Sequence, residues 1–408
     1  MTATEYAVES RYAWARMITA LALMTVGGSG MYAITVVLPR VQADFGVGRS
    51  DASLPYAFTM IGFGLGGILM GRLADRYGVM VPVVIGALGL CSGFVIAGTA
   101  GNLWQFNLAQ GLLIGLLGSS ATFAPLVADT SLWFTRRRGI AVAICISGNY
   151  LAGAVWPPLI QHYIDGIGWR QTYIGIGVFC LAAMLPLALV LRRRPPVPAL
   201  PAAGSAAVAG SAGTLGLAPG ALQALLCVAG VACCVAMSMP QVHLVAYCGD
   251  LGYGPARGAE MLSLMLGCGI VSRLASGWIS DRIGGLRTLL LGSTLQAIAL
   301  LLFLPFKGLV SLYLIAALFG LFQGGIVPAY ALIVREHFTP REAGARVGTV
   351  LMATLFGMAL GGWMSGAIFD WTGSYRAAFV NGFAWNLLNI AIVATLLYRS
   401  RARAAPAA

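Results

Sequence analysis

The chain alternates between long apolar segments and short connections that carry nearly all of its charge. A helix needs about 20 mainly apolar residues to cross a bilayer. Twelve segments meet this requirement, and we predict transmembrane helices at residues 14–38, 53–73, 80–100, 103–127, 139–164, 170–191, 219–246, 258–279, 286–305, 309–333, 346–369 and 375–398. The pattern therefore predicts an all-α membrane protein with twelve transmembrane helices.

The connection between the sixth and seventh segments has a different composition. Residues 192–218 are rich in Pro, Ala and Gly and carry no charge after Arg194. Such a composition is typical of a flexible linker. We predict an N-terminal six-helix bundle over residues 1–191, a cytoplasmic linker over 192–218 and a C-terminal six-helix bundle over 219–408.

The two halves of the chain repeat each other. GRLADRYG (71–78) follows the second segment, and GWISDRIG (277–284) follows the eighth segment 206 residues later. A Trp-Arg pair at 169–170 matches a Tyr-Arg pair at 375–376 with the same offset. Each half has an even number of spans, so we expect bundles of the same orientation, related by a pseudo-twofold axis along the membrane normal. Transporters are known to use this plan.

Composition and charge fix the environment and the orientation. Of the 408 residues, 59% are hydrophobic and 9% are charged, whereas average soluble domains carry about 25% charged residues. The net charge of +12 does not indicate nucleic acid binding, because the basic residues lie between apolar segments. Eighteen arginines lie on one side of the predicted membrane and six basic residues on the other. We therefore expect both termini in the cytoplasm, and the protein in the inner membrane of a bacterium.

Arg273 is a charge inside a predicted span. It lies in LSLMLGCGIVSRLASGWIS (262–280), which has no acidic residue, and eight residues before Asp281, or about 12 Å along a helix. A guanidinium stays protonated, and a charge at this depth is costly enough to mark a functional site. A carboxylate matches its two-pronged geometry best. Arg273 therefore predicts a carboxylate site, with a structural Arg bonded to backbone carbonyls as the alternative.

The other polar residues do not form a catalytic centre. The sequence has no clustered metal ligands, phosphate loop or nucleophile motif, so we expect no enzyme, no metal and no cofactor. Asp129 lies just after the fourth predicted segment, seven residues before Arg136, and is expected to pair at the cytoplasmic end. We expect His243 to line the C-terminal half of the substrate site, where it could carry a coupling proton, since His titrates near neutral pH. A hydrogen-bonded structural His is the alternative.

The repeated loop motif and the division into six and six helices resemble the major facilitator superfamily. Within it, residues 30–50, 133–160 and 273–284 resemble bacterial monocarboxylate and oxalate–formate transporters. The resemblance implies two bundles around a central site, rocking-type alternating access and small organic anions as substrates. It also implies that Arg273, four residues before the motif glycine Gly277, binds the substrate carboxylate.

The resemblance extends to further site residues. Tyr32 aligns with a tyrosine in the site of the oxalate transporter, Gln323 stands where that transporter has an aromatic residue, and Phe123 stands where it has a tyrosine. Asn149 and Tyr150 are polar groups beside a Gly-rich stretch of the fifth segment, and we expect them to line the same cavity. Packing or hydrogen bonding between helices is the alternative for these residues.

The loop motifs carry Asp75, Arg76, Asp281 and Arg282. An Asp in such a loop can lie at the N-terminus of a neighbouring helix, where the helix dipole favours it. We expect these four residues to act as conformational locks that hold the bundles together in the outward-open state, and not as substrate ligands.

The chain departs from the family pattern where cations and acids are expected. Animal monocarboxylate transporters carry an acidic residue one turn before the Arg, where this chain has Gly269. Their lysine of the first helix has no counterpart, and residues 347–369 lack the helix 11 lysine of the oxalate transporter. A single cation suits a monoanion better than a dianion.

The sequence thus predicts a monomeric secondary transporter of small monocarboxylates, coupled to protons, to a counter-transported anion, or uncoupled. An exporter of hydrophobic or cationic compounds would need an acidic residue in the central cavity, and none is evident. Exchange of a dicarboxylate for a monocarboxylate is a further alternative. A membrane sensor ranks lower, because the segments outside the spans are short.

Overall fold

The computed structural model describes residues 8–194 and 215–404, and within these ranges every regular element is helical. Twelve helices are long and apolar enough to cross a membrane in the described part of the chain. They are α1 (Arg11–Phe45), α2 (Arg49–Tyr77), α3 (Met80–Gly98), α4 (Leu103–Trp133), α5 (Arg138–Ile167), α6 (Trp169–Val190), α7 (Pro219–Asp250), α8 (Pro255–Ile283), α9 (Gly285–Leu302), α10 (Leu309–His337), α11 (Pro340–Thr372) and α12 (Tyr375–Ala404). The predicted fold class is confirmed, whereas most of the predicted linker, 195–214, lies outside the described residues.

Three of these helices, α1, α4 and α10, are interrupted near their middle. Helix α1 consists of Arg11–Gly27 and Ser29–Phe45, separated by Gly28. Helix α4 is π-helical over Ala109–Ser119 and begins again at Ala124. Pro125 follows directly, and since Pro has no N–H and its ring crowds the carbonyl four residues earlier, a helix cannot run through this point undisturbed.

The interruptions of α1 and α4 contact each other. Ser119 Oγ donates a hydrogen bond to the carbonyl oxygen of Gly27 at 3.0 Å. A Cβ atom at Gly27 would overlap the side chain of Thr122. Glycine is therefore required at position 27 because α4 approaches the backbone of α1 directly.

The described residues form two compact units. The first comprises the described residues of Met1–Pro201 together with Val245–Leu266, and the second those of Ala202–Leu244 and Gly267–Ala408. The segment 245–266, which the sequence assigns to the C-terminal bundle, thus groups with the first unit. Within that unit Arg49 donates to Asp250 across 2.8 Å.

A buried ion pair joins α1 to α4 in the first unit. Arg16 Nε and Nη2 donate to the two carboxylate oxygens of Asp129 at 2.8 and 2.9 Å, and the two side chains are 2% and 8% exposed. Arg16 also lies over the ring of Trp133 and donates to the hydroxyl of Tyr12. Arg16 lies at the start of the first predicted span, and the structure buries it as the partner of Asp129.

Polar side chains tie three helices together in the second unit. The hydroxyl of Tyr330 in α10 donates to Asn389 of α12 at 2.9 Å, and Asn389 donates to the Ser293 hydroxyl of α9 at 2.7 Å. Asn386 donates to the carbonyl of Ser293 at 2.8 Å. All four residues are buried, so this network fixes the packing of α9 and α12 against α10.

Candidate functional site

The candidate site is built around an interruption of α10. The helix stops at Gln323 and begins again at Ile326, with Gly324 and Gly325 between. Pro328 lies four residues after Gly324, so it supplies no N–H for the Gly324 carbonyl, and its ring crowds that oxygen. The sequence of α10 therefore leaves one backbone carbonyl in mid-span without its usual helical donor.

Helix α8 packs closely against this interruption. A Cβ atom at Gly324 would lie 2.8 Å from the Cβ atom of Ser272, and one at Gly325 would overlap the side chain of Ser276. Both glycines are thus required by the close approach of the two helices, and small residues commonly permit such approaches between membrane helices. Ser272 and Ser276 are one turn apart on α8, and Arg273 lies between them in the sequence.

The approach of α8 positions Arg273. Its Nε donates to the carbonyl oxygen of Gly324 at 3.4 Å, and its side chain is partly buried. The guanidinium of α8 is thereby anchored to the interrupted backbone of α10. Non-helical backbone at membrane depth is tolerated where it is buried in protein or lines a cavity, and transporters commonly place their substrate sites at such discontinuous helices.

Gln323 lies directly beside the carbonyl that Arg273 contacts. It is fully buried, and its Oε1 accepts a hydrogen bond from Nε2 of Gln241 in α7 at 2.9 Å. Its own Nε2 has no hydrogen-bond partner among the described residues. Gln323 and Gln241 therefore form a polar pair inside the second unit, next in sequence to the carbonyl that Arg273 contacts, and the pair includes a buried donor that the described protein atoms do not satisfy.

His243 faces a different side of α7. Its Nδ1 lies 3.0 Å from the Tyr375 hydroxyl and its Nε2 lies 2.8 Å from the carbonyl oxygen of Gly362. Two residues along a helix correspond to a rotation of about 200°, so His243 points to α11 and α12 whereas Gln241 points to α10. The structure therefore does not bring His243 to Gln323 or to the contact of Arg273 with Gly324, and the contacts of His243 fit the structural alternative.

The predicted residues of the first unit lie mostly along the packing of α1 and α5. The ring of Tyr32 covers Gly153, where a Cβ atom would lie 2.8 Å from Cζ. Asn149 Oδ1 lies near the Gly28 interruption of α1, and the neighbouring Tyr150 is buried. Phe123 is at the interruption of α4, and its ring centre is 5.7 Å from that of Phe63 in α2.

A cavity in the first unit lies elsewhere. It has a volume of about 360 Å³ and lies between α5 and α6, lined by Trp156, Tyr163, Thr172 and Phe179 among others. None of the predicted site residues lines it.

The loop-motif residues are exposed. Asp75 and Arg76 lie at the end of α2, and Asp281 and Arg282 at the end of α8. Arg76 stacks on Tyr77, and Arg282 stacks on Trp278 at 3.7 Å. Within the described side chains no hydrogen bond joins either aspartate to a neighbouring helix, so the lock function stays a prediction. Instead, Glu336 of α10 accepts the hydrogen bond from the first N–H of α9, at Gly285.

Sequence reasoning missed Gln241 and the role of Gly324. Pro328 and the Gly-Gly pair before it were a local signal for the interruption of α10. Gln241 carried no such signal, because it is one polar residue on an apolar helix and its partner is 82 residues away. Only the packing of α7 on α10 identifies it.

Comparisons with known proteins agree with this architecture. A family model described as Major Facilitator Superfamily matches residues 19–312 and 224–408. Monocarboxylate transporter 13 of Rattus norvegicus is 31% identical over 355 residues, which cover 85% of this chain and 78% of the rat protein. A Bacillus subtilis protein named as an uncharacterized MFS-type transporter is 26% identical, over 83% of this chain and 84% of its own length.

Solved structures resemble the chain in fold. The nucleoside transporter NupG has a TM-score of 0.73 at 13% identity, covering 95% of this chain and 100% of the other. A bacterial homolog of the human lysosomal transporter Spinster, inward-facing and occupied, has a TM-score of 0.70 at 14% identity, covering 96% and 98%. At such low identity these likenesses establish the fold alone.

Proposed function

The chain belongs to the major facilitator superfamily of membrane transporters, and from this we propose that it carries small monocarboxylates by alternating access, with Arg273 holding the substrate carboxylate. The observation that carries the proposal is the position of Arg273 at the interruption of α10, where its Nε also makes the backbone-carbonyl contact with Gly324 that a structural arginine would make. The 31% identity to a rat protein named monocarboxylate transporter 13 supports the substrate class.

The proposed chemistry is that of a bidentate ion pair. The Nε–H of Arg273 is directed at Gly324, which fixes the plane of the guanidinium. A carboxylate would meet the two terminal nitrogens of this plane through parallel charge-assisted hydrogen bonds. Lysine offers a single point charge on a flexible stem and does not reproduce this geometry.

The energetic logic links binding to transport. An arginine at membrane depth is costly, and a bound carboxylate neutralises it. Substrate therefore binds more tightly to states in which the site is shielded from water than to states in which it is open. A ligand shifts a conformational equilibrium only through such a difference in affinity. We expect this cycle in the inner membrane of a bacterium, with both termini in the cytoplasm.

The decisive experiment is uptake of labelled lactate, pyruvate, formate and oxalate into proteoliposomes. The wild type should take up at least one monocarboxylate saturably, Arg273→Ala should abolish that uptake, and Arg273→Lys should reduce it strongly. Arg287→Ala is the matched control, since Arg287 is an exposed arginine at the start of α9 and its loss should leave uptake unchanged.

Two further conditions define the transport mode. An inward proton gradient that accelerates uptake indicates symport, and acceleration by an anion loaded inside the vesicles indicates exchange. No uptake of any acid, or uptake that Arg273→Ala leaves intact, would refute the proposed function.

A further inference from the structure

We propose, on the basis of the function proposed above, that Gln241 is a positioning residue. It orients the amide of Gln323 so that the N–H groups of Gln323 face the substrate. Because of this pair, the transporter prefers monocarboxylates that carry a hydrogen-bond acceptor on the carbon next to the carboxylate. Alkyl monocarboxylates of the same length are transported less well.

The geometry begins with the direction of one hydrogen bond. A glutamine amide has an acceptor end and a donor end of nearly the same shape. The bond from Nε2 of Gln241 to Oε1 of Gln323, 2.9 Å long, holds the acceptor end of Gln323 against α7. The donor end then points away from α7, and it is the atom that has no partner among the described residues.

The location of this donor connects it to the substrate. Gln323 is followed directly by Gly324, whose carbonyl oxygen lies 3.4 Å from Nε of Arg273. A carboxylate on Arg273 therefore lies beside the interruption of α10, within reach of a group on the last residue before it. The acceptor that suits the Gln323 N–H is an oxygen on the carbon next to the carboxylate.

Burial explains why the donor should act on substrate choice. Gln323 is fully buried, and a buried donor without a partner carries its full desolvation cost. A substrate oxygen that accepts from it removes this cost, whereas an alkyl substrate leaves it in place. A site built to hydrogen-bond one group rejects analogues that lack the group for this reason.

The test compares pyruvate with propionate, which have the same number of carbon atoms and differ in the 2-oxo group. Uptake of both acids is measured on the same proteoliposomes, so the amount of folded transporter cancels from the ratio of their kcat/KM values. Gln323→Met should lower the pyruvate to propionate ratio about three- to tenfold, as expected for one neutral hydrogen bond. The change should appear in the KM for pyruvate more than in the KM for propionate.

Gln241→Met should lower the same ratio in the same direction but by less, because a freed Gln323 amide can still turn its donor to the substrate. The double variant should resemble Gln323→Met alone, since Gln241 acts only through Gln323. A merely structural effect of Gln241 would reduce the uptake of both acids equally. Should Gln323→Met fail to fold, the ratio measured for Gln241→Met decides the question.

Gln296→Met is the matched control. Gln296 is also a fully buried glutamine of the second unit, on α9, and both its amide atoms lack a partner among the described residues. Its loss should leave the ratio unchanged. An equal decrease for Gln296→Met, or an unchanged ratio for Gln241→Met, would overturn the inference.

The uptake measurements separate the role of the two glutamines from the transport of monocarboxylates. Uptake of both acids that depends on Arg273, with a ratio that neither glutamine variant alters, overturns the inference alone. Absence of uptake for both acids in the wild type overturns the inference together with the monocarboxylate assignment.

Discussion

Replacing Asp129 by asparagine should destabilise the protein strongly. The carboxylate of Asp129 receives two hydrogen bonds from Arg16, at 2.8 and 2.9 Å, and the arginine side chain is only 2% exposed. Asparagine keeps the shape but removes the charge, so the guanidinium stays buried with the Tyr12 hydroxyl and the Trp133 ring as its contacts. Breaking a buried pair in this way costs about 3–5 kcal/mol of unfolding free energy.

The assay is equilibrium unfolding in mixed detergent micelles, followed by circular dichroism. Asp44→Asn is the matched control, because Asp44 also receives two hydrogen bonds from one arginine, Arg170, but the two side chains are 43% and 38% exposed. An exposed pair contributes at most about 1 kcal/mol. The difference between the two variants therefore measures the effect of burial.

A double variant separates the charge from the packing. Replacing Arg16 by Met and Asp129 by Leu removes both charges, and such replacements are often neutral or stabilising. We expect the double variant to recover most of the stability that Asp129→Asn loses. Equal losses for Asp129→Asn and Asp44→Asn, or a double variant as unstable as the single one, would refute the reasoning.

The remaining predictions concern a loop, a helix contact and a histidine. The hydrogen bond from the Arg137 backbone N–H lowers the pKa of Glu9 below its ordinary value of 4.5. The ionised carboxylate of Glu9 therefore protects the Arg137 amide from hydrogen exchange above pH 4.5. This protection should be lost as the pH falls through the lowered pKa of Glu9. Glu9→Gln should lack this dependence. Gly325→Ala would overlap Ser276 and should cost about 1–3 kcal/mol in detergent unfolding, whereas Gly277→Ala meets nothing within 4 Å and should be neutral. His243→Phe removes the contacts of the imidazole with the Tyr375 hydroxyl and the Gly362 carbonyl and should cost about 1–3 kcal/mol, yet should not change the proton dependence of uptake.

The sequence determined the number and extent of the spans. Each requires only about 20 apolar residues in a row, which is a local property, and the twelve predicted segments correspond to α1–α12. The interruption of α10 was equally local, since Pro328 follows Gly324 and Gly325, but sequence reasoning did not use it. The family likewise followed from short loop motifs and their repeat.

The pairing of residues across helices was decided only by the tertiary structure. Asp129 was expected to pair at the cytoplasmic end, but the sequence did not identify its partner, Arg16, which lies 113 residues earlier. Gln241 was not selected at all, although it holds Gln323. The physical reason lies in the solvent. In lipid a helix is apolar on every side, so hydrophobic periodicity does not distinguish the face that meets another helix from the face that meets the bilayer. The sequence therefore determines which segments cross the membrane, and packing determines which polar residues meet inside it.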